Sequence, residues 1–565
     1  MITRRSILQL VPALGISSTV FARSLAQEAV GQDELTAEMI AAAKWISGIE
    51  LNEQQEAALV QQVNGLQAQL KSLRSYPLDP QDDLPAIQFS TLPGERVAIG
   101  DGSFRRGYWP VSNEATVRPS DDQELAFLPV SKLSNLIRTR QISSRQLTEF
   151  YLERLKQYDP MLMCVVNLTE ERALRQADRL DREIAQGRYR GPLHGIPWGA
   201  KDLLSVPDYA TTWGIPVFQN RVINQTATVV DRLDQAGAVL VGKLSLGAIA
   251  MGDRWYRGMT RNPWNPRVGS SGSSAGSASA TAAGLVGFAI GSETLGSILS
   301  PSTRCGCHGL RPTFGRISRF GAMPLSWSMD KLGPMARSVD DLAIVFAAIY
   351  GPDGRDPTVQ QREFAWPPER PLDFSKMRVG VLDPDQNDEG LQIIRDLGCE
   401  IKQITLPQQF PLRSLTRIID IEGAAIFDDL LKAGETDGWN SWTQTFQAAQ
   451  FITAIDYLKM QRVRQKLMHA FELAIADIDI LWNARDLLHT NLTGHPSVIM
   501  PFRFVEQRNR LTPQMVTITG HLYDEATILA FAKAIESRRP EPLPNPPLES
   551  FLANRNQDGE RNEDK

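Results

Sequence analysis

Apolar residues recur at helical spacing early in the chain, with Trp45, Ile46 and Ile49 followed by Ala57, Leu59, Val60, Val63, Leu66 and Leu70, and with Gln and Glu between them. Such a stripe marks an amphipathic helix, so two helices are predicted within 27–75 as an N-terminal helical extension. From Pro77 to about Pro129 the periodicity fades and Pro, Asp and Gly become frequent, which predicts an extended linker or wrap over 76–129. The pattern then tightens. Ser143 and Gln146 form a capping-box pair ahead of Leu147, Phe150, Tyr151 and Leu155, and Ala173, Ala177, Leu180 and Ile184 predict a second helix stopped at Gly187. A helix over 228–236, with Gly237 as its stop, leads into an apolar strand at 238–241. Further strands are expected at 378–382, 401–406, 497–504 and 514–519, and a last helix near 526–535. Alternation of this kind is the mark of an α/β fold. Residues 539–547 are Pro-rich and 554–565 polar, so 539–565 reads as a disordered tail.

Composition narrows the function classes. The 565 residues carry 60 Lys and Arg against 65 Asp and Glu, with 42% hydrophobic residues, as in ordinary soluble proteins. No basic cluster offers a nucleic-acid footprint, so no nucleic-acid partner is expected. Residues 1–26 hold Arg4 and Arg5 ahead of an apolar stretch, then Ser24 and Ala26 as small residues at a cleavage point. This resembles a twin-arginine signal, and the mature chain is expected to be exported, periplasmic or secreted. Removing Arg4, Arg5 and Arg23 with that segment takes the net charge from −5 to −5 − 3 = −8. Gln9, Pro12 and Gly15 interrupt the apolar run, which falls short of the roughly 18 residues a spanning helix needs, so no membrane anchor is expected in the mature form.

The four cysteines do not read as a disulfide framework, because the Cys305-Gly306-Cys307 loop is too short to close without strain. Cys305, Cys307 and His308 lack a second Cys/His pair at metal-site spacing, so these thiols are expected in the core. No metal and no cofactor are expected.

The most informative stretch runs from Gly269 to Pro301, where tiny residues dominate before the chain turns into Ala-rich and then apolar sequence. A flexible linker would stay polar throughout, so this segment is read as folded, its small residues permitting close backbone approach. No Gly-Lys-Ser/Thr ends it, which excludes a phosphate-binding loop. Gly272-Ser273-Ser274-Ala275-Gly276 matches G-x-S-x-G, but Pro263 and Pro266 precede it where a buried strand should stand. Ser328-Met329-Asp330-Lys331 matches Ser-x-x-Lys without the S-D-N and K-T-G strings that should accompany it.

The run from 269 to 343, GSSGSSAGSASATAAGLVGFAIGSETLGSILSPSTRCGCHGLRPTFGRISRFGAMPLSWSMDKLGPMARSVDDLA, resembles the signature of the amidase signature family. GPLHGIPWGAKDLL, GAVLVGKLSLGAIAMG and TGHPSVIMPF extend the likeness to roughly 130–535, and 130–538 is taken as the catalytic domain. The resemblance implies one large α/β domain, with a mixed, mostly parallel central sheet between helices. It implies Lys201 as general base, Ser273 as the relaying serine beside a cis peptide bond and Ser297 as nucleophile. Backbone N–H groups of Thr294, Leu295, Gly296 and Ser297 would form the oxyanion hole.

A serine hydroxyl needs a base within hydrogen-bond reach, and a lysine serves only when uncharged, which burial favours. Residue type alone would not separate Lys201 from Lys243, also preceded by Gly. Asp202 and Arg337 are read as structural pairs. Two departures stand out in Glu293-Thr294-Leu295-Gly296-Ser297-Ile298-Leu299: Leu295 adds a side chain beside the oxyanion hole, and Leu299 removes a common arginine, leaving Glu293 unpaired or differently paired. The substrate implied is a small-molecule amide, hydrolysed through an acyl-enzyme. The alternatives are a non-catalytic binding protein on the same fold and a glutaminase-type amidotransferase subunit.

Overall fold

The computed structural model describes residues 35–47, 49–78, 86–87, 116–368, 371–384, 388–508 and 510–553. The signal-like segment 1–26, most of the expected linker and the last residues of the tail lie outside the described residues.

The chain divides into two compact units, residues 1–87 with 409–466, and residues 88–408 with 467–565. In the first, α1 (Ala37–Ser47) and α2 (Glu53–Ser75) are the two expected helices. Asn52 and Gln55 close a capping box at the start of α2, each side chain accepting from the other's backbone N–H at 2.9 Å. The stripe Leu59, Val63, Leu66, Leu70 and Leu73 is buried. It packs against helices at 412–415 and 442–449, and Arg74 pairs with Asp456 at 2.8 Å. These helices are therefore part of a unit that draws on the 409–466 segment, a grouping that sequence separation conceals.

The second unit holds an eleven-stranded sheet between helices. In chain order its strands are β1 (Val165–Leu168), β2 (Pro197–Lys201), β3 (Val239–Leu244), β4 (Phe288–Glu293), β5 (His308–Arg311), β6 (Lys331–Ala336), β7 (Arg378–Val381), β8 (Glu400–Gln403), β9 (Ile480–Trp482), β10 (Ser497–Glu506) and β11 (Leu511–Thr519). Their spatial order is β1-β3-β2-β4-β6-β5-β10-β11-β9-β7-β8. The sheet is mixed, as expected, but its parallel share is smaller than expected. Neighbours are parallel in β2–β3, β2–β4, β7–β9 and β7–β8, and antiparallel in the other adjacent pairs. The turn around Gln507 is too short for the crossover that a parallel pair requires.

Helices 144–162 and 170–185 carry the predicted caps and stops. Ser143 Oγ accepts from the Gln146 N–H at 3.0 Å, and Gly237 ends the 228–236 helix at φ +86°. Leu152, Leu155, Tyr158, Leu180, Val239, Val241 and Leu285 form one buried cluster between these helices and the sheet. All four cysteines are free and buried. Among the described residues no helix is long and apolar enough to cross a membrane.

One loop is pinned by charge. Arg319 Nε stands 2.9 Å from Asp356 Oδ2, and the Thr358 hydroxyl donates to Asp356 Oδ1 at 2.7 Å. Burial pushes this carboxyl up, but the Arg319 hydrogen bond and charge outweigh it and bring it down to about 2. A depressed acid stabilises the fold above its unfolded value of 3.8, and that contribution fades as pH falls towards about 2. Asp356→Ala should lower stability by about 3 kcal/mol at neutral pH, because it strands a largely buried guanidinium. Thermal melts from about pH 5 to pH 2 should show a shallower acid limb in the variant.

Candidate active site

Strand register brings the site together. Trp198 and Ala200 of β2 pair with Phe288 and Ile290 of β4, so Lys201, ending β2, lies beside the last residues of β4. A crevice at the carboxyl ends of parallel strands is where α/β sheets present ligand-binding groups. Three turns meet there, carrying Lys201, Ser273 and the 294–297 loop.

Lys201 is fully buried. Its Nζ lies 2.8 Å from Ser273 Oγ, 3.0 Å from Ser274 Oγ and 2.8 Å from Ser292 Oγ. Burial holds this amine well below its ordinary value of 10.5, and the charges of Asp330 and Glu293 pull back only in part. Lys243 is equally buried but has the Asp202 carboxylate at 2.7 Å, with the Ala210 carbonyl and Thr211 hydroxyl as further acceptors. One lysine is paired with an acid and the other meets hydroxyls. That difference, invisible in residue type, separates them. Arg337 donates to the backbone carbonyls of Thr281, Val286 and Leu128, a structural role like that of Asp202.

Ser273 follows a cis peptide bond with Gly272, and the peptide runs so close to the Gly252 carbonyl that any Cβ at 272 would collide with it. Ser274, the central serine of G-x-S-x-G, is locked: its hydroxyl donates to the Ser292 carbonyl at 3.0 Å and accepts from the Ser292 N–H at 3.1 Å. The strand before it, Asn265–Gly269, pairs with Arg261–Asn262 in a small ribbon outside the main sheet. Nothing in the sequence singles out Ser274 and Ser292 as partners of Lys201. Both are common residues whose importance comes from a contact across the sheet.

Ser297 is partly exposed, and among the described residues its hydroxyl makes no hydrogen bond. Its carbonyl accepts from the Ser274 N–H at 3.2 Å, which ties the two serine turns together. The N–H groups of Thr294, Leu295, Gly296 and Ser297 donate to no acceptor among the described residues. Gly296 has φ +96°, a conformation that disfavours any other residue, and Leu487 and Ser300 crowd its Cβ position.

Glu293 organises this loop from below. Its Oε2 accepts from the N–H groups of Ile298 and Leu299 at 2.8 and 3.0 Å, and its Oε1 accepts from Arg311 Nη1 and Asn491 Nδ2, both at 2.9 Å. Burial opposes ionisation of this carboxyl, but Arg311 and the loop N–H groups win and hold it below the usual range. Glu293 is thus paired from another strand: Arg311 of β5 supplies the charge and is itself anchored on the His495 carbonyl at 2.9 Å and the Ser497 hydroxyl at 2.6 Å. His308 stands apart from the site, 3.0 Å from Glu536. Cys305 and Cys307 hydrogen-bond the Ser270 carbonyl and the Ser302 hydroxyl. No group of three His, Cys, Asp or Glu side chains among the described residues could hold a metal ion.

Two cavities flank the loop. One of about 390 Å³ includes Ser292 and Thr294, with Phe320, Met323, Leu325 and Trp327 among its apolar walls. Asp330 lies on it, its carboxyl pushed up by burial against hydrogen bonds from the Thr294 hydroxyl and the Leu325 and Ser326 N–H groups. The other, about 560 Å³, begins at Leu299, Ser300 and Leu487.

The family profile described as Amidase matches residues 146–484. A glutamyl-tRNA(Gln) amidotransferase subunit of Halorhodospira halophila is 30% identical over 470 residues, covering 71% of this chain and 95% of the relative. The same-named protein of Coxiella burnetii is 29% identical over 464 residues, with the same coverage. Among solved structures, native peptide amidase from Stenotrophomonas maltophilia is 28% identical with a TM-score of 0.65, covering 74% of this chain and 98% of its own.

Replacing Arg311 by Met should cost about 3–5 kcal/mol, since it strips the counter-charge from a buried carboxylate. Chemical denaturation measures this. A variant as stable as the parent would show that Glu293 takes up a proton or another partner at little cost.

Proposed function

The chain belongs to the amidase signature family, and on that premise we propose that it hydrolyses a linear carboxamide through an acyl-enzyme on Ser297. The observation that carries this reading is an amine buried among hydroxyls, beside a loop with four unengaged N–H groups.

Proton counting gives the mechanism. A neutral amine has two N–H donors and one lone pair. Ser274 spends its only hydroxyl proton on the Ser292 carbonyl, so one Lys201 N–H must go to Ser274 Oγ. With the second N–H on Ser292, whose Oγ and carbonyl lie at 2.8 and 3.5 Å, the lone pair is free for the Ser273 hydroxyl proton. Ser273 Oγ then takes the proton of Ser297 as that oxygen attacks the amide carbon, and the negative carbonyl oxygen draws on the N–H groups of 294–297. Return of the proton through Ser273 to the amide nitrogen releases the amine. Water, deprotonated by the same route, then frees the acid. The apolar cavity at Phe320 and Trp327 suits an apolar portion of the substrate.

A second reading, glutamine-dependent ammonia release, is favoured by the names of the two amidotransferase relatives. Ammonia release from glutamine, compared with release from simple aryl and alkyl amides, discriminates the two.

A fluorophosphonate probe should label the protein, and Ser297→Ala should abolish the label. Lys201→Ala should slow labelling by a factor of about 10²–10⁴, the usual contribution of a positioned base. The labelling rate should rise with pH and level off below 10.5, because the base form of a depressed lysine is reached early. Intact protein that takes no label would favour the binding-protein alternative.

We also propose export through residues 1–26, supported by Arg4-Arg5 and the small residues Ser24 and Ala26. N-terminal sequencing of the exported protein should begin at Gln27; an exported chain retaining Ile2 would refute the cleavage.

A further inference from the structure

Three acids and two arginines line the larger cavity. Its acids are all engaged. Asp388 accepts from Trp482 Nε1 at 2.8 Å, Asn483 Nδ2 at 3.3 Å and the Gly390 N–H at 2.8 Å. Asp486 accepts from His489 Nδ1 at 3.0 Å and the Thr490 N–H at 3.1 Å. The other nitrogen of His489 faces the Pro407 carbonyl at 3.0 Å, so both of its ring neighbours are acceptors; burial opposes the charged ring, but Asp486 and the Pro407 carbonyl outweigh it and raise the imidazole above its ordinary value. Glu389 pairs with Arg503.

Arg485 differs. It lines the same cavity and is exposed, and its side chain has a single bond, Nε to Asn483 Oδ1 at 3.3 Å. Among the described residues it has no carboxylate partner. Asn483 and Arg485 both adopt left-handed backbone conformations, φ +47° and +49°. Non-glycine residues held in that region cluster at active sites and ligand clamps. The cavity reaches the nucleophile's own turn, since Leu487 and Ser300 on its wall are the side chains that crowd Gly296.

We infer that this cavity binds a carboxylate carried on one half of the scissile amide, with Arg485 as its partner. The inference rests on Ser297 as nucleophile and adds the class of substrate: an amide with a carboxylate on one side and an apolar group on the other. A planar guanidinium presents paired N–H donors that match a carboxylate, which a neutral amide or ester cannot satisfy equally.

Binding to Ser297→Ala protein tests this apart from turnover. Two matched pairs serve as probes: hippurate and its methyl ester, with the carboxylate on the amine half, and succinanilate and its methyl ester, with it on the acyl half. In at least one pair the carboxylate should bind about tenfold more tightly than its ester, the scale of one charge-assisted hydrogen bond. Adding Arg485→Gln should bring that ratio near one, and Arg485→Lys should restore part of it. Ratios near one in both pairs, a ratio that persists in Arg485→Gln, or no binding by any of the four compounds would overturn the inference. A carboxylate preference in protein that takes no fluorophosphonate label would keep the inference and remove the nucleophile assignment.

Discussion

Lys201 meets three hydroxyls and no carboxylate, and the rest of the site depends on that single choice of neighbours. An ammonium in a buried position loses hydration that an opposite charge best repays, so burial among three hydroxyls and the Ser292 carbonyl holds this amine well below its ordinary value. Lys243, one strand away and equally buried, is also lowered by burial, but an adjacent carboxylate pulls it back. With Asp202 at 2.7 Å its charge has an immediate partner. The two lysines have the same side chain and the same burial, and the position of one carboxylate divides a candidate base from a structural ion pair.

The loop that follows β4 has its own constraint. Its four N–H groups at 294–297 find no acceptor among the described residues, and Glu293 holds the loop by taking the next two N–H groups and pairing with Arg311. The pairing runs across the sheet from β4 to β5, where Arg311 is fixed by backbone and hydroxyl groups near the start of β10. Glu293 thus takes its counter-charge from Arg311, and the loop that carries Ser297 is held from below.

The cavities on either side of the turn are chemically unlike. One is walled by Phe320, Met323, Leu325 and Trp327, while the other holds three acids and two arginines, of which Arg485 has no carboxylate partner among the described residues.

Local chemistry made much of this protein legible in its sequence. The Ser143–Gln146 box, the Gly237 stop, the α2 stripe and the small-residue run around Ser273 depend on neighbours a few positions apart, and each appears as read. The antiparallel majority of the sheet, the grouping of α1 and α2 with 409–466, and the roles of Ser274, Ser292, Arg311 and Arg485 depend on residues brought together from distant positions. Sequence alone determined which groups capable of the chemistry are present. Only the tertiary structure decided which lysine lacks an acid and which arginine lacks a carboxylate, because the charge state of a buried group is set by what surrounds it in space.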